Sequence, residues 1–281
     1  LDSFQPYVQH QLDMTIGDDG WVDYKGHRLR ALACPIGIDT AGFRDLAEND
    51  AQARAMFERM RHSAAGRAMI LGVDRLDYSK GLQERFLGYE RFLSSHPDMS
   101  EKVFLLQIAP PSRGDVASYQ EIRSQLDALS GRINGEYANA EWVPIRYVNK
   151  GYSRDDLAGI YRAARVGLVT PLRDGMNLVA KEYVSAQDAN DPGVLILSSF
   201  AGAAHQLREA LLVNPHSAED VADAIARALA MSLKERQARW QALINTVAEE
   251  DVSWWLNRFV GALVEQDQLF SSEEAPIPVT Q

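Results

Sequence analysis

The chain has a single cysteine, Cys34, among its 281 residues. One thiol forms no internal disulfide, so the count fits a reducing, cytoplasmic setting. No apolar run reaches the roughly 18 residues that a spanning helix needs, which excludes a helical membrane span. Positive charge is in deficit: Lys and Arg number 29 against 39 Asp and Glu, a formal net charge of −10. Nucleic acid and anionic membranes are bound through a positive field, so both are poor partners for this chain. Familiar motifs are missing as well. There is no Gly-x-x-x-x-Gly-Lys-Ser/Thr loop, no Gly-x-Gly-x-x-Gly and no Gly-x-Ser-x-Gly. Asp-x-Asp, the simplest metal–diphosphate motif, is absent. The six histidines (His10, His27, His62, His96, His205 and His216) are scattered without metal-ligand spacing. Leu1 rather than Met opens the chain, as expected of a fragment or a processed product, and no signal-peptide pattern follows it.

What is present is globular. Hydrophobic residues make up 46% and charged residues 24%, which excludes wholesale disorder. Leu1–Leu12 has no clean period. Gly17-Asp18-Asp19-Gly20 is a turn by chemistry. Trp21–Tyr24 and Arg28–Cys34 are expected to pair as a hairpin around Lys25-Gly26-His27. Pro35–Asp39 reads as a linker, so residues 1–38 and 39–281 are expected to be separate parts. Asp39–His62 is read as helix.

From residue 67 strands and helices alternate. Ala68–Val73, Val103–Ile108, Val166–Thr170 and Gly193–Leu197 are short continuous apolar runs, as buried parallel strands require. Trp142–Tyr147 is a weaker strand, because Pro144 lacks a ladder donor. Helices are expected at Gly81–Leu93, Val116–Leu129, Arg154–Ala164, Leu178–Gln187 and Ala204–Ala210, and then at Ala218–Leu233, Lys234–Ala248 and Val252–Leu263. The tail from Ser271 is expected to fray. Trp254, Trp255 and Phe259 are expected to pack against a core, and Cys34 to be a buried filler. The alternation predicts a doubly wound parallel α/β sheet, in which ligands bind beyond the carboxyl ends of the strands.

Two of those loops are rich in chemistry. In Gly72-Val73-Asp74-Arg75-Leu76-Asp77-Tyr78-Ser79-Lys80-Gly81, two cations stand beside a helix N-terminus. That is either an anion site or a surface cluster paired to Asp74 and Asp77. Its place after a buried strand favours phosphate. In Thr170-Pro171-Leu172-Arg173-Asp174-Gly175-Met176-Asn177-Leu178-Val179-Ala180-Lys181-Glu182, Gly175 permits close backbone approach and Asp174 can accept from hydroxyls. Glu182 could reach a second hydroxyl pair, such as a ribose. Taken singly, Asp174 is better explained as a helix cap and Glu182 as a solvated helix residue, but the whole string is not. Arg113, in the loop after Ile108, faces an anion or pairs with Asp115. Ser198–Ala204 is a tight turn or a phosphate-approaching backbone, with the turn favoured.

The strings Val73–Gly81 and Pro171–Tyr183 closely resemble the trehalose-6-phosphate synthases. Ser112–Asp115, Gly131-Arg132-Ile133-Asn134-Gly135 and Ser199-Phe200-Ala201-Gly202-Ala203 fit the same family, and the resemblance runs from about Pro35 to about Phe259. It implies a retaining glycosyltransferase of two Rossmann-like domains (the GT-B architecture). Such an enzyme carries glucose from UDP-glucose to glucose 6-phosphate. It further implies that Arg75 and Lys80 hold the donor diphosphate. Asp174, Gly175, Met176 and Asn177 would hold the transferred glucose, and Leu178 and Val179 the diphosphate and nucleoside region. Glu182 would take the ribose, Leu157 the uracil and Arg113 the acceptor phosphate. Arg75, Lys80 and Asp174 would carry the catalysis, with leaving-group charge offset by cations and helix N–H groups and no metal or other cofactor required.

The family's N-terminal domain is represented only by the end of it in residues 1–38, and its His-Asp-Tyr string is absent. The expectation is therefore a donor-binding part that holds UDP-glucose and transfers poorly by itself, in a homo-oligomer. Two alternatives are another retaining nucleotide-sugar transferase of the same architecture and a non-catalytic regulatory subunit.

Overall fold

The continuous apolar runs become the centre of the fold. The computed structural model of the chain describes residues 4–11, 14, 16, 17, 21–24, 27–111 and 117–273. The expected turn at Asp18-Asp19-Gly20, the loop residues Lys25-Gly26, the Ser112–Asp115 string with Arg113, and the tail from residue 274 lie outside them.

The chain divides into two compact units, Leu1–Pro35 with Trp255–Gln281, and Ile36–Trp254. The C-terminal stretch, expected with residues 39–281, thus groups with the first residues of the chain. In the smaller unit, α1 (Phe4–Gln11) forms where no period was legible. β1 (Trp21–Tyr24) and β2 (His27–Arg30) make the expected hairpin, with Tyr24 opposite His27 and Trp21 opposite Arg30. The second strand is shorter than expected and ends before Cys34, which is half-buried rather than a buried filler.

The larger unit begins with α2 (Thr40–Asn49) and α3 (Ala51–Ala64). One helix was expected here. Asp50 breaks it, because its extended backbone lets its carboxylate accept from the amides of Gln52 and Ala53 and so cap a second helix. The order continues with β3 (Ala68–Val73), α4 (Leu82–Ser95), β4 (Val103–Ile108), α5 (Ala117–Tyr137), β5 (Ile145–Val148) and α6 (Arg154–Ala163). Then come β6 (Val166–Val169), α7 (Leu178–Ala186), β7 (Val194–Ser198), β8 (Leu211–Val213), α8 (Ala218–Ala230), α9 (Leu233–Glu249) and α10 (Val252–Glu273).

Three local expectations change. β5 starts at Ile145, and Trp142 is buried instead, its indole N–H donating to the Val103 carbonyl at 2.7 Å. The helix expected at Ala204–Ala210 is a 3₁₀ turn at Gly202–His205, followed by the unforeseen strand β8. In α10, Trp255 stacks on Phe259 at 5.7 Å, yet Leu256 and Phe259 are exposed, so core packing does not explain these two.

Strands β3 to β8 form one parallel sheet in the order β5-β4-β3-β6-β7-β8. Side chains alternate between its faces. Met69, Leu71, Val73, Phe104 and Leu106 join Phe43, Tyr161, Tyr183 and Trp240 on one side. Ile70, Val103, Leu105, Val166 and Leu168 join Phe86, Tyr89 and Ile225 on the other. Both faces are covered, which is why these strands read as unbroken apolar runs. The chain winds outward from β3 in one direction and from β6 in the other. The carboxyl ends of β3 and β6 are therefore the switch point, where an open α/β sheet leaves a crevice.

Candidate functional site

The loops after β3 and β6 meet at that crevice. Lys80 Nζ lies 2.6 Å from Asp174 Oδ2, and each side chain is 16% exposed. Asn177 Nδ2 donates to the same carboxylate oxygen at 3.1 Å. The loops are also joined through their backbones, as Leu172 N donates to the Ser79 carbonyl at 2.8 Å. Gly81 sits at φ +63°, and a Cβ there would come 2.5 Å from the Thr170 carbonyl. Only glycine fits both conditions without strain.

The two acids nearest in sequence have partners of their own. Asp74 pairs with Arg85 at 2.7 Å, and Asp77 accepts from the amide and hydroxyl of Ser79. Arg75 is exposed and makes no ion pair or hydrogen bond with another described residue. The next helix, α4, starts at Gly81 with no side-chain cap. Its first amide groups therefore add a partial positive charge beside Arg75 and Lys80. Asp74, one of the two acids the surface-cluster alternative relies on, is taken by Arg85.

Asp174 is not a helix cap. That role falls to Asn177, at φ +80°, whose side chain accepts from the Ala180 amide. Asp174 is held instead by its backbone, which takes the Phe200 carbonyl and gives its own carbonyl to Gly202 N at 3.0 Å. Ala203 N bonds the Met176 carbonyl in the same way at 2.9 Å. The small-residue turn after β7 is thus the support of the Asp174–Met176 loop. Gly175 is exposed, and open space lies on the side where a Cβ would stand.

On α7, Leu178 and Val179 are half-buried against the core, as Leu157 is on α6. Glu182 is half-buried and accepts from the Tyr161 hydroxyl at 3.1 Å. Burial pushes the Glu182 carboxyl above its ordinary range, and the Tyr161 hydrogen bond opposes the shift. Leu157 and Tyr161 are four residues apart on one helix face, so Leu157 and Glu182 flank the same corner. Reading the sequence missed Tyr161. It also missed the buried cluster of Arg85, Asp74, Gln107 and Thr170 below the loops. Gln107 gave a signal, being the polar residue inside an apolar strand run.

Among the described residues no group of three or more His, Cys, Asp or Glu side chains could hold a metal ion, and no helix is long and apolar enough to cross a membrane. A cleft of about 460 Å³ opens at the other end of the sheet, lined by Arg67, Arg162, Arg165, Asp188 and Asp191 among others. Arg162 pairs there with Asp188, Arg165 with Asp191, and Arg67 with two backbone carbonyls. Those arginines are already matched.

Comparison with known proteins points the same way. The profile of Glycosyltransferase family 20 matches residues 3–265. A trehalose-6-phosphate synthase of Sinorhizobium fredii (strain NBRC 101917 / NGR234) is 50% identical over 251 residues, 88% of this chain and 54% of that protein. The crystal structure of a UDP-forming alpha,alpha-trehalose-phosphate synthase from Burkholderia xenovorans in complex with glucose-6-phosphate superposes with a TM-score of 0.89 at 48% identity. It covers 93% of this chain and 59% of that one. An E. coli structure bound with UDP-2-fluoro glucose gives a TM-score of 0.85 at 44% identity, over 89% of this chain and 55% of that one. The chain spans about half the length of the curated relatives it matches.

Proposed function

The chain belongs to glycosyltransferase family 20, and from that premise we propose that it forms the nucleotide-sugar side of a UDP-forming trehalose-6-phosphate synthase. The observation that carries the reading is the 2.6 Å contact of Lys80 with Asp174 at the switch point, near Arg75, which has no ion pair with another described residue. It puts a cation for phosphate and a carboxylate for sugar hydroxyls within one hydrogen bond of each other.

The diphosphate of UDP-glucose takes Arg75, Lys80 and the uncapped amide groups of α4. Its ribose donates to Glu182, which Tyr161 orients, and the base rests against Leu157. The glucose lies over Gly175, where no side chain stands in the way, with its hydroxyls on Asp174 and the backbone of Met176 and Asn177. Transfer breaks the bond between the anomeric carbon and the β-phosphate oxygen. A new bond forms from that carbon to the anomeric hydroxyl oxygen of glucose 6-phosphate, and the proton of that hydroxyl goes to the departing phosphate. Negative charge grows on the β-phosphate as the bond breaks. The cations and the helix dipole stabilise that growing charge more than they stabilise the bound donor, and this is how the site favours the transition state. Retention at the anomeric carbon is the family's expectation, and Arg113 is proposed for the acceptor phosphate.

Calorimetric titration of the chain with UDP-glucose, GDP-glucose and ADP-glucose tests the reading. UDP-glucose is expected to bind at least about tenfold more tightly than the others. Equal binding of all three, or none, would set aside the uridine assignment.

A further inference from the structure

Arg85 is a charged side chain with no exposed surface. It stands in the first turn of α4 and reaches back under the loop that carries Arg75 and Lys80. Its four polar contacts are Nη1 to Asp74 Oδ2 at 2.7 Å, Nη1 to Gln107 Oε1 at 2.8 Å, Nε to Thr170 Oγ1 at 3.0 Å, and Nη2 to the Lys80 carbonyl at 3.5 Å. They reach the ends of β3, β4 and β6 and the last residue of the loop. Gln107 and Thr170 are themselves fully buried. The space is reserved for this group. A Cβ on Gly72 would fall 2.6 Å from Nη1 and against the Gln107 amide.

A buried guanidinium is expensive to desolvate, and a well-packed apolar residue often replaces a buried ion pair without loss of stability. Stability is therefore a weak reason for Arg85 to be here. Its geometry supplies another. Asp74 precedes Arg75 directly, and the Lys80 carbonyl belongs to the second cation of the site. Fixing both points fixes where the two phosphate-binding side chains leave the backbone.

We propose that Arg85 is the positioning residue of the phosphate loop. It sets the separation of Arg75 and Lys80 from below, through the Asp74 carboxylate and the Lys80 carbonyl, without touching the nucleotide. The proposal rests on the reading of Arg75 and Lys80 as the diphosphate site. A planar guanidinium can bridge four acceptors at fixed angles, and an ammonium cannot.

The experiment compares UDP with uridine, titrated against the chain and against Arg85→Lys, Thr170→Val and Arg75→Ala/Lys80→Ala. Arg85→Lys is expected to weaken UDP by about tenfold and leave uridine within about twofold, because the ribose and base contacts are elsewhere. Thr170→Val removes one acceptor of the guanidinium at constant shape. It is expected to weaken UDP about threefold, again sparing uridine, and it decides the matter if Arg85→Lys does not fold. Equal losses for both ligands, or unchanged UDP affinity in the folded variants, would overturn the positioning role. Unchanged UDP affinity in Arg75→Ala/Lys80→Ala overturns the diphosphate reading itself, so the two failures are told apart.

Discussion

Lys80 Nζ and Asp174 Oδ2 stand 2.6 Å apart although 94 residues separate them in the chain. On the proposed reading each competes for the other's ligand: phosphate must draw Lys80 from Asp174, and sugar hydroxyls must share Asp174 with Lys80. Asp174→Asn removes that competition while keeping the side chain's shape, so UDP is expected to bind as well or a few-fold more tightly. Lys80→Ala is expected to weaken UDP by about 10- to 100-fold, the range of a charge-assisted hydrogen bond. Calorimetry with UDP separates the two. Equal weakening in both variants would mean that the pair serves only to clamp the loops.

Gly202 lies against the Asp174–Met176 loop, the proposed sugar loop, and a Cβ on it would run into the Gly175 carbonyl. Gly202→Ala is expected to displace Gly175 and Met176 while leaving the β3 loop in place. UDP-glucose affinity should then fall by about tenfold and UDP affinity by less than about twofold. Matched titrations with the two ligands measure this, and parallel losses would contradict the division of labour between the loops.

In the proposed ribose site Glu182 accepts hydroxyls most strongly as a carboxylate, and burial raises its titration above the ordinary range. An acid with a raised pKa keeps its proton to higher pH. UDP affinity is therefore expected to fall on acidification, beginning at a higher pH than an ordinary glutamate would cause. Glu182→Gln should bind UDP more weakly at neutral pH and lose most of that pH dependence. A pH series of dissociation constants for both proteins checks it, and identical slopes would remove Glu182 from the ribose site.

The neighbouring Lys181 points the other way, into the core, where it is 1% exposed and donates to the Ile36 carbonyl at 2.8 Å. Burial lowers its pKa from the ordinary 10.5 to about 8. Between those two values the unfolded chain holds the proton and the folded chain has lost it, so stability from this group rises with pH across that window. Below about 8 the buried ammonium is a cost in full. The difference in Tm between wild type and Lys181→Met is therefore expected to shift in favour of wild type as pH is raised from 7 toward 10. A constant difference would show that Lys181 titrates normally.

Much of the fold was legible because a sheet buried on both faces leaves no room for polar alternation. β3, β4, β6 and β7 were each readable from their apolar runs to within a residue or two. The misreadings have local causes. Asp50 caps a second helix inside a stretch of uniform helical composition. β8 is three residues long, with Leu212 exposed in its middle, and so falls below the length at which a pattern speaks. Trp142 is buried in the core from a loop rather than from a strand, with its indole N–H on the Val103 carbonyl.

The sequence by itself determined the two loops, their cations and carboxylates, and the family they resemble, because these are contiguous strings whose residue types carry the chemistry. Tertiary structure alone decided who pairs with whom. Asp74, next to Arg75 in the chain, faces Arg85; Asp174 faces Lys80; Glu182 meets Tyr161 from another helix. No local pattern encodes these choices. They arise because parallel strands β3 and β6 lie side by side, although they are far apart in sequence, and deliver their loops to the same crevice.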